Sequence, residues 1–366
     1  MKKRAFYILI ILLFQIIVNR QGFAQTKFND NLSIMLNVHS GYNLPEYQMF
    51  SYITEDYIRS VELSLLKETS GKNEWEHLFN YPEYGIALFY STLGNDRIFG
   101  REIALNPFFR INIIYKKQFR LYSRVSLGIS YVNKKFDIEN NYLNVAVGSH
   151  FNLHFNYRIA GNYQLTNKSK LNIGLSFDHF SNANTNEPNL GINYLTGFMG
   201  LSYRIGKLSP KQEIKRQPHI KKNTFEIILN LGGKYSRALS SKKYVTSSLS
   251  FEAKRSYFKA FYLGIGTDIF YDSSIKDQLI DAEKEYNSTD NFQTGLHFSQ
   301  TIVYNKLSIT IQEGIYIILT EKAENNLIYN RGILRYQISK SLSIRLAMKS
   351  HLHILDYPEF GIGYKF

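Results

Sequence analysis

The stretch Phe119-Arg120-Leu121-Tyr122-Ser123-Arg124-Val125-Ser126-Leu127-Gly128-Ile129-Ser130-Tyr131 decides the fold. Its odd positions read Phe, Leu, Ser, Val, Leu, Ile, Tyr, and its even positions Arg, Tyr, Arg, Ser, Gly, Ser. A period of two belongs to an extended strand, whose successive side chains point to opposite faces. One face is therefore oily and the other wet, as in a strand that stands between lipid and a polar lumen.

The same division recurs along the chain. Phe151, Leu153, Phe155, Tyr157 and Ile159 alternate with His150, Asn152, His154, Asn156 and Arg158, and Leu342, Ile344, Leu346 and Met348 alternate with Ser343, Arg345 and Lys349. Soluble sandwiches alternate too, but many long strands with Arg and Lys on the inner face favour a barrel. Candidate strands lie near 31–41, 57–68, 84–92, 104–115, 118–131, 145–164, 169–181 and 192–205. Eight more lie near 222–237, 243–255, 257–271, 291–303, 306–318, 326–337, 341–352 and 358–366. The predicted fold is all-β, an antiparallel up-and-down transmembrane β-barrel of about 14 to 16 strands. Abundant tyrosine (28) and phenylalanine (26) beside seven prolines suit such strands. The chain closes Phe360-Gly361-Ile362-Gly363-Tyr364-Lys365-Phe366, which looks like the carboxy-terminal strand of bacterial outer-membrane proteins.

Lys2, Lys3 and Arg4 precede an apolar run from Ala5 to Val18, and Gly22-Phe23-Ala24 offers small residues before Gln25, so residues 1–24 read as a cleaved signal peptide. No later stretch has the roughly 18 consecutive apolar residues of a membrane-spanning helix. Cysteine is absent, which removes disulfides, thiolate metal sites and a cysteine nucleophile. A net charge of +14 suits an anionic membrane surface; export argues against nucleic acid as the partner. The connections alternate between short ones, such as Lys116-Lys117 and 166–168, and long ones, such as 42–56, 132–144, 182–191 and 272–290. Short turns are periplasmic in bacterial barrels, so 182–191 faces the exterior. Residues 25–206 form one half, 207–221 a basic periplasmic turn or linker, and 222–366 a second half. One closed barrel is the favoured arrangement because a single closure removes every edge; two tandem eight-stranded barrels are the alternative.

On strand 169–181, Leu171, Ile173, Leu175 and Phe177 mark the apolar face, and the same register places His179 and Ser181 on it. A base and a hydroxyl two residues apart share one side of a strand, as activation of a serine nucleophile requires. The next strand carries Asn193 on the apolar face marked by Leu195, Met199 and Leu201, and a hairpin sets it opposite His179, where an amide would hold the imidazole in one tautomer. Asn182 is the candidate oxyanion donor. Asp178 falls on the lumenal face. A second His-x-Ser, His297-Phe298-Ser299, has Leu296, Phe298 and Ile302 as its apolar face, so His297 and Ser299 are predicted to point into the lumen. His150, His154, His351 and His353 show no convergent ligand spacing, so no metal or cofactor is expected.

The run His179-Phe180-Ser181-Asn182-Ala183, followed by Pro188-Asn189-Leu190-Gly191, resembles the motif of the PagL-type lipid A 3-O-deacylases, outer-membrane barrels that hydrolyse an ester-linked acyl chain of lipopolysaccharide. The resemblance covers roughly 30–205, and the rest looks like the extension of longer, Bacteroidetes-like members. It implies His179 as base and Ser181 as nucleophile. The family's orienting glutamate falls on Asn193 here, a departure that removes a carboxylate; Glu187 in the adjoining loop is the alternative acid. The expected activity is that of a carboxylic-ester hydrolase acting on lipid A in the outer leaflet of the outer membrane. The alternatives are a non-catalytic porin or structural or adhesion barrel, and an acyltransferase.

Overall fold

The computed structural model describes residues 30–45, 48–183, 185–214, 220–235, 242–318, 327–351 and 354–366. The expected signal peptide and His353 lie outside the described residues. Among the described residues no helix is long and apolar enough to cross a membrane.

Among the described residues sixteen antiparallel strands form, as the alternation predicts, but they close as two rings and not as one. The first ring runs β1 (Leu32–Asn43), β2 (Ile58–Glu68), β3 (Glu83–Thr92), β4 (Arg101–Tyr115), β5 (Phe119–Val132), β6 (Phe151–Gln164), β7 (Ser169–Ser181) and β8 (Ile192–Arg204), with β8 returning to β1. The second runs β9 (Asn223–Tyr235), β10 (Lys243–Phe258), β11 (Phe261–Asp272), β12 (Phe292–Tyr304), β13 (Leu307–Ile318), β14 (Ile328–Gln337), β15 (Leu342–His351) and β16 (Ile354–Lys365), with β16 returning to β9. The favoured single closure is thus replaced by the tandem alternative. Either arrangement leaves no edge; what period-two patterning cannot state is which strand closes on which.

Eight strands enclose a lumen just wide enough to be filled by side chains. In the first barrel the filling is layered. Arg110 pairs with Glu83 at 2.7 Å, Arg124 with Glu62 at 2.7 Å, and Arg158 grips both oxygens of Glu62 at 2.8 and 2.5 Å, all of them buried. Above them His154 lies between Glu102 (2.8 Å) and Asp178 (3.0 Å). The external end is closed by an apolar cluster that includes Phe50, Phe89, Leu93, Phe99, Val147, Phe180 and Ile192, drawn from strand ends and from all the external loops of this barrel. The outward faces are the reverse: Ile129, Leu175, Met199 and Leu201 stand exposed in rows, a surface that only lipid would cover.

Two local departures from the sequence reading have physical causes. Strand β6 begins at Phe151 and not at 145, because Ala146 and Val147 turn inward into the apolar cluster and the backbone carbonyls of Val145 and Ala146 accept from Leu190 and Gly191 of another loop. The connection 69–82, at the short-turn end, holds a helix, α2 (Glu74–Leu78), which follows α1 (Gln48–Ile53) of the first external loop. The segment around α2 and the outward face of β4 meet the second barrel: Phe79 and, from β4, Phe109 pack on Tyr304 at ring separations of 4.6 and 4.5 Å, and Glu74 pairs with Lys259.

Candidate active site

β7 and β8 pair so that His179 lies directly across from Asn193. The positions between and beside them are anchors. Phe180, Ile192 and Tyr194 point inward and are buried, all three in the apolar cluster, and the Tyr194 hydroxyl donates to Glu102 at 3.0 Å. A slip of one residue would expose these three rings and aliphatics and bury the polar set, so the register is strongly specified. The alternation therefore delivers His179, Ser181 and Asn193 to the outward face, in line with exposed Leu175 and Leu195.

The three side chains form a chain of hydrogen bonds. Asn193 Oδ1 lies 2.6 Å from His179 Nδ1, and His179 Nε2 lies 3.1 Å from Ser181 Oγ. An amide oxygen only accepts, so it fixes the proton on Nδ1 and leaves the Nε2 lone pair turned to the serine hydroxyl. His179 is half-buried, and Ser181, at 8% exposure, is sheltered on the same face.

The loop 182–191 builds the shelter. Asn182 Oδ1 accepts from Thr185 N at 3.0 Å, its Nδ2 donates to Asn186 O at 2.8 Å, and its backbone N–H donates to Asn189 Oδ1 at 2.8 Å. Asn182 thus clamps the loop; a donor to an oxyanion would have to come from the second hydrogen of the same amide. The position of an orienting acid at Nδ1 is held by Asn193, and the Glu187 carboxylate accepts the backbone N–H of Asn189, with partial burial pushing its pKa above the ordinary carboxylate value. Asp178 points inward, as its register predicts, and accepts from Asn156 at 2.8 Å as well as binding His154.

Two glycines allow this packing, and sequence reasoning gave neither a role. Gly191 adopts a φ of +72°, and a Cβ there would stand 2.9 Å from His179 Cε1 and 3.4 Å from Ser181 Cβ. Gly148 passes under the loop, where a Cβ would meet Glu187 O at 2.6 Å. The signal for the first was present in the Pro188-Asn189-Leu190-Gly191 run, since a glycine just before a strand often marks positive φ or close approach.

The second His-x-Ser behaves oppositely, as its register predicts. His297 and Ser299 are buried in the lumen of the second barrel, His297 Nδ1 at 2.7 Å from Asp268 and Ser299 Oγ donating to Glu252. Asp268 also binds Arg331 at 2.9 Å and the Tyr329 hydroxyl at 2.5 Å. His150 sits at the external rim with Nδ1 on Val132 O (2.8 Å), and His351 contacts the Tyr316 hydroxyl at 3.0 Å.

An apolar outward wall around a filled lumen defines a class, that of outer-membrane β-barrels. The chain belongs to the PagL-type lipid A 3-O-deacylase family: residues 59–202 match the family model described as lipid A 3-O-deacylase (PagL), and residues 223–366 match the acyloxyacyl hydrolase, C-terminal domain. The second half is therefore a domain with a family model of its own. At family level the activity is that of a hydrolase acting on lipid A, in the outer membrane. None of the curated proteins compared matches the chain in sequence. Among solved structures, Neisserial surface protein A is 8% identical, with 48% of this chain and 98% of that one covered and a TM-score of 0.34. The outer membrane enzyme PagL is 14% identical, with 45% and 97% covered and a TM-score of 0.32. Omp33 of Acinetobacter baumannii is 8% identical, with 92% and 98% covered and a TM-score of 0.17.

Proposed function

We propose that the protein removes an ester-linked acyl chain from lipid A by serine catalysis at the external rim of the first barrel. The observation that carries this reading is the outward-facing chain Asn193–His179–Ser181, with contacts of 2.6 and 3.1 Å. His179 Nε2 takes the Ser181 proton as Oγ bonds to the ester carbonyl carbon. The tetrahedral adduct collapses, the bond from carbon to the sugar oxygen breaks, and His179 returns the proton to that oxygen. Water, deprotonated by the same nitrogen, then attacks the acyl-serine and releases the fatty acid. Asn193 orients the imidazole throughout but supplies no charge to the imidazolium, so the step is slower than in a site with a carboxylate at that position. Asn182 shapes the loop beside Ser181, and its amide is the nearest candidate for stabilising the oxyanion.

Placement on the outward wall suits a substrate whose acyl chains already lie in the bilayer, because the ester reaches Ser181 without leaving it. The packed interiors of both barrels weigh against an open porin, since buried Arg124, Arg158 and Arg331 cross the lumens. The test is covalent trapping. The purified full chain is incubated with a lipophilic fluorophosphonate and digested, and the label is expected on the peptide holding Ser181. Label on Ser299 alone, or none, would refute the proposal.

A further inference from the structure

The opposite end of the first barrel carries a feature that deacylation does not use. The lumen opens there as a blind cup of about 260 Å³, smaller than the ~300–1,000 Å³ of a pocket for a drug-sized ligand. Its charged lining is Lys117, Arg120, Lys168, Lys170 and Arg204 against the single carboxylate of Glu68. Arg120, Lys170 and Arg204 stand at lumenal positions of β5, β7 and β8, and Lys117 and Lys168 on the turns before β5 and β7. Buried Asn162 and Asn172 and the Arg110–Glu83 pair lie above it, so the cup has one mouth.

The charges do not balance. Glu68 is already shared among Arg120 at 3.0 Å, Lys211 at 2.6 Å and Lys170 at 3.8 Å, while Arg120 also reaches the buried carboxylate of Glu83 at 3.3 Å and the Arg204 guanidinium donates to Asn167 O. Among the described residues, no carboxylate lies within ion-pair distance, 4.0 Å, of Lys117, Lys168 or Arg204. The segment after β8 adds to the wall: Ser209 N donates to Asn31 Oδ1 at 2.8 Å, Gln212 N to Ser70 O at 2.8 Å, and Leu208 lines the cup. Cations held together in a partly desolvated mouth repel one another, and an anion with several acceptor oxygens relieves that repulsion. Guanidinium forks beside flexible ammonium groups match the geometry of a phosphate.

We propose that this mouth is a binding cup for a phosphate-bearing anion, either free phosphate from the periplasm or the headgroup of an anionic lipid of the periplasmic leaflet. The first part of the basic linker is then a wall of that cup as well as a connection between barrels.

The test uses the full chain in a phosphate-free detergent. Inorganic phosphate is titrated by calorimetry at constant ionic strength, and thermal unfolding is followed in vesicles of phosphatidylcholine with and without phosphatidylglycerol. Free phosphate as ligand predicts saturable binding, weakened about tenfold or more in Lys168→Ala/Arg204→Ala. A lipid ligand predicts instead a rise in melting temperature with phosphatidylglycerol, lost in the same variant. Lys117→Ala, at an exposed turn, is the second variant should the double one fail to fold, with an expected weakening of about threefold. Absence of both responses in the wild type, or variants that respond as the wild type does, would overturn the proposal. Fatty-acid release is expected to be unchanged in these variants, which separates this site from the one at the other end.

Discussion

The two barrels carry the same three-letter spelling, His-Phe-Ser, with opposite outcomes. In β7 the phenylalanine points inward and is buried in the apolar cluster, so His179 and Ser181 look outward. In β12 Phe298 is the exposed residue, and His297 and Ser299 are buried among Asp268 and Glu252. Composition is identical, and a register difference of one residue separates a lipid-facing pair from a lumenal tie. The lesson is that in a barrel a motif has no meaning until its face is known. The surroundings differ accordingly: His179 has a neutral amide at Nδ1, whereas His297 has a carboxylate that is also held by Arg331.

This contrast can be broken or sharpened by substitution. The largest effect is expected from the histidines. His179→Gln should lower fatty-acid release from lipid A by about 10⁴-fold or more, as loss of a general base does in serine hydrolases. His297→Gln should leave the rate within about twofold and lower unfolding free energy by about 1–3 kcal/mol, the penalty for unsatisfied buried partners. Equal losses of rate in both would dissolve the distinction. Next comes Gly191→Ala. Its positive φ and the 2.9 Å approach to His179 Cε1 mean that a methyl group must displace the imidazole. A loss of about 10²-fold in kcat with folding intact, read by heat-modified gel migration, is expected; an unchanged rate would show that the imidazole tolerates movement. The smallest effect has the opposite sign. Asn193→Asp keeps the shape and adds a charge facing the imidazolium, so kcat should rise by about tenfold. A fall would mean that the amide contributes more than orientation of the ring.

Much of this was legible in the sequence because alternation in a barrel wall reports directly on face. The outward placement of His179, Ser181 and Asn193, the inward turn of Asp178 and the lumenal burial of His297 and Ser299 all follow from counting in twos. Closure was not legible, since the pairing of β8 with β1 and of β16 with β9 depends on contacts more than a hundred residues apart that leave no periodic trace. The plug was hidden for a different reason. Val145-Ala146-Val147 reads as strand by residue type, yet its backbone bonds to the loop ending at Gly191 and its side chains fill the external end. The roles of Asn182 and Glu187 depend on the fold of a single loop, where no period exists to be read.

The central claim is that chemistry belongs to the outward pair and not to the lumenal one. Mass spectrometry of lipid A from cells expressing the wild type, Ser181→Ala and Ser299→Ala at matched surface levels tests it most directly. Loss of one ester-linked acyl chain in the wild type and in Ser299→Ala, with intact lipid A in Ser181→Ala, is the predicted pattern. Intact lipid A in all three strains, or deacylation that survives Ser181→Ala, would contradict it.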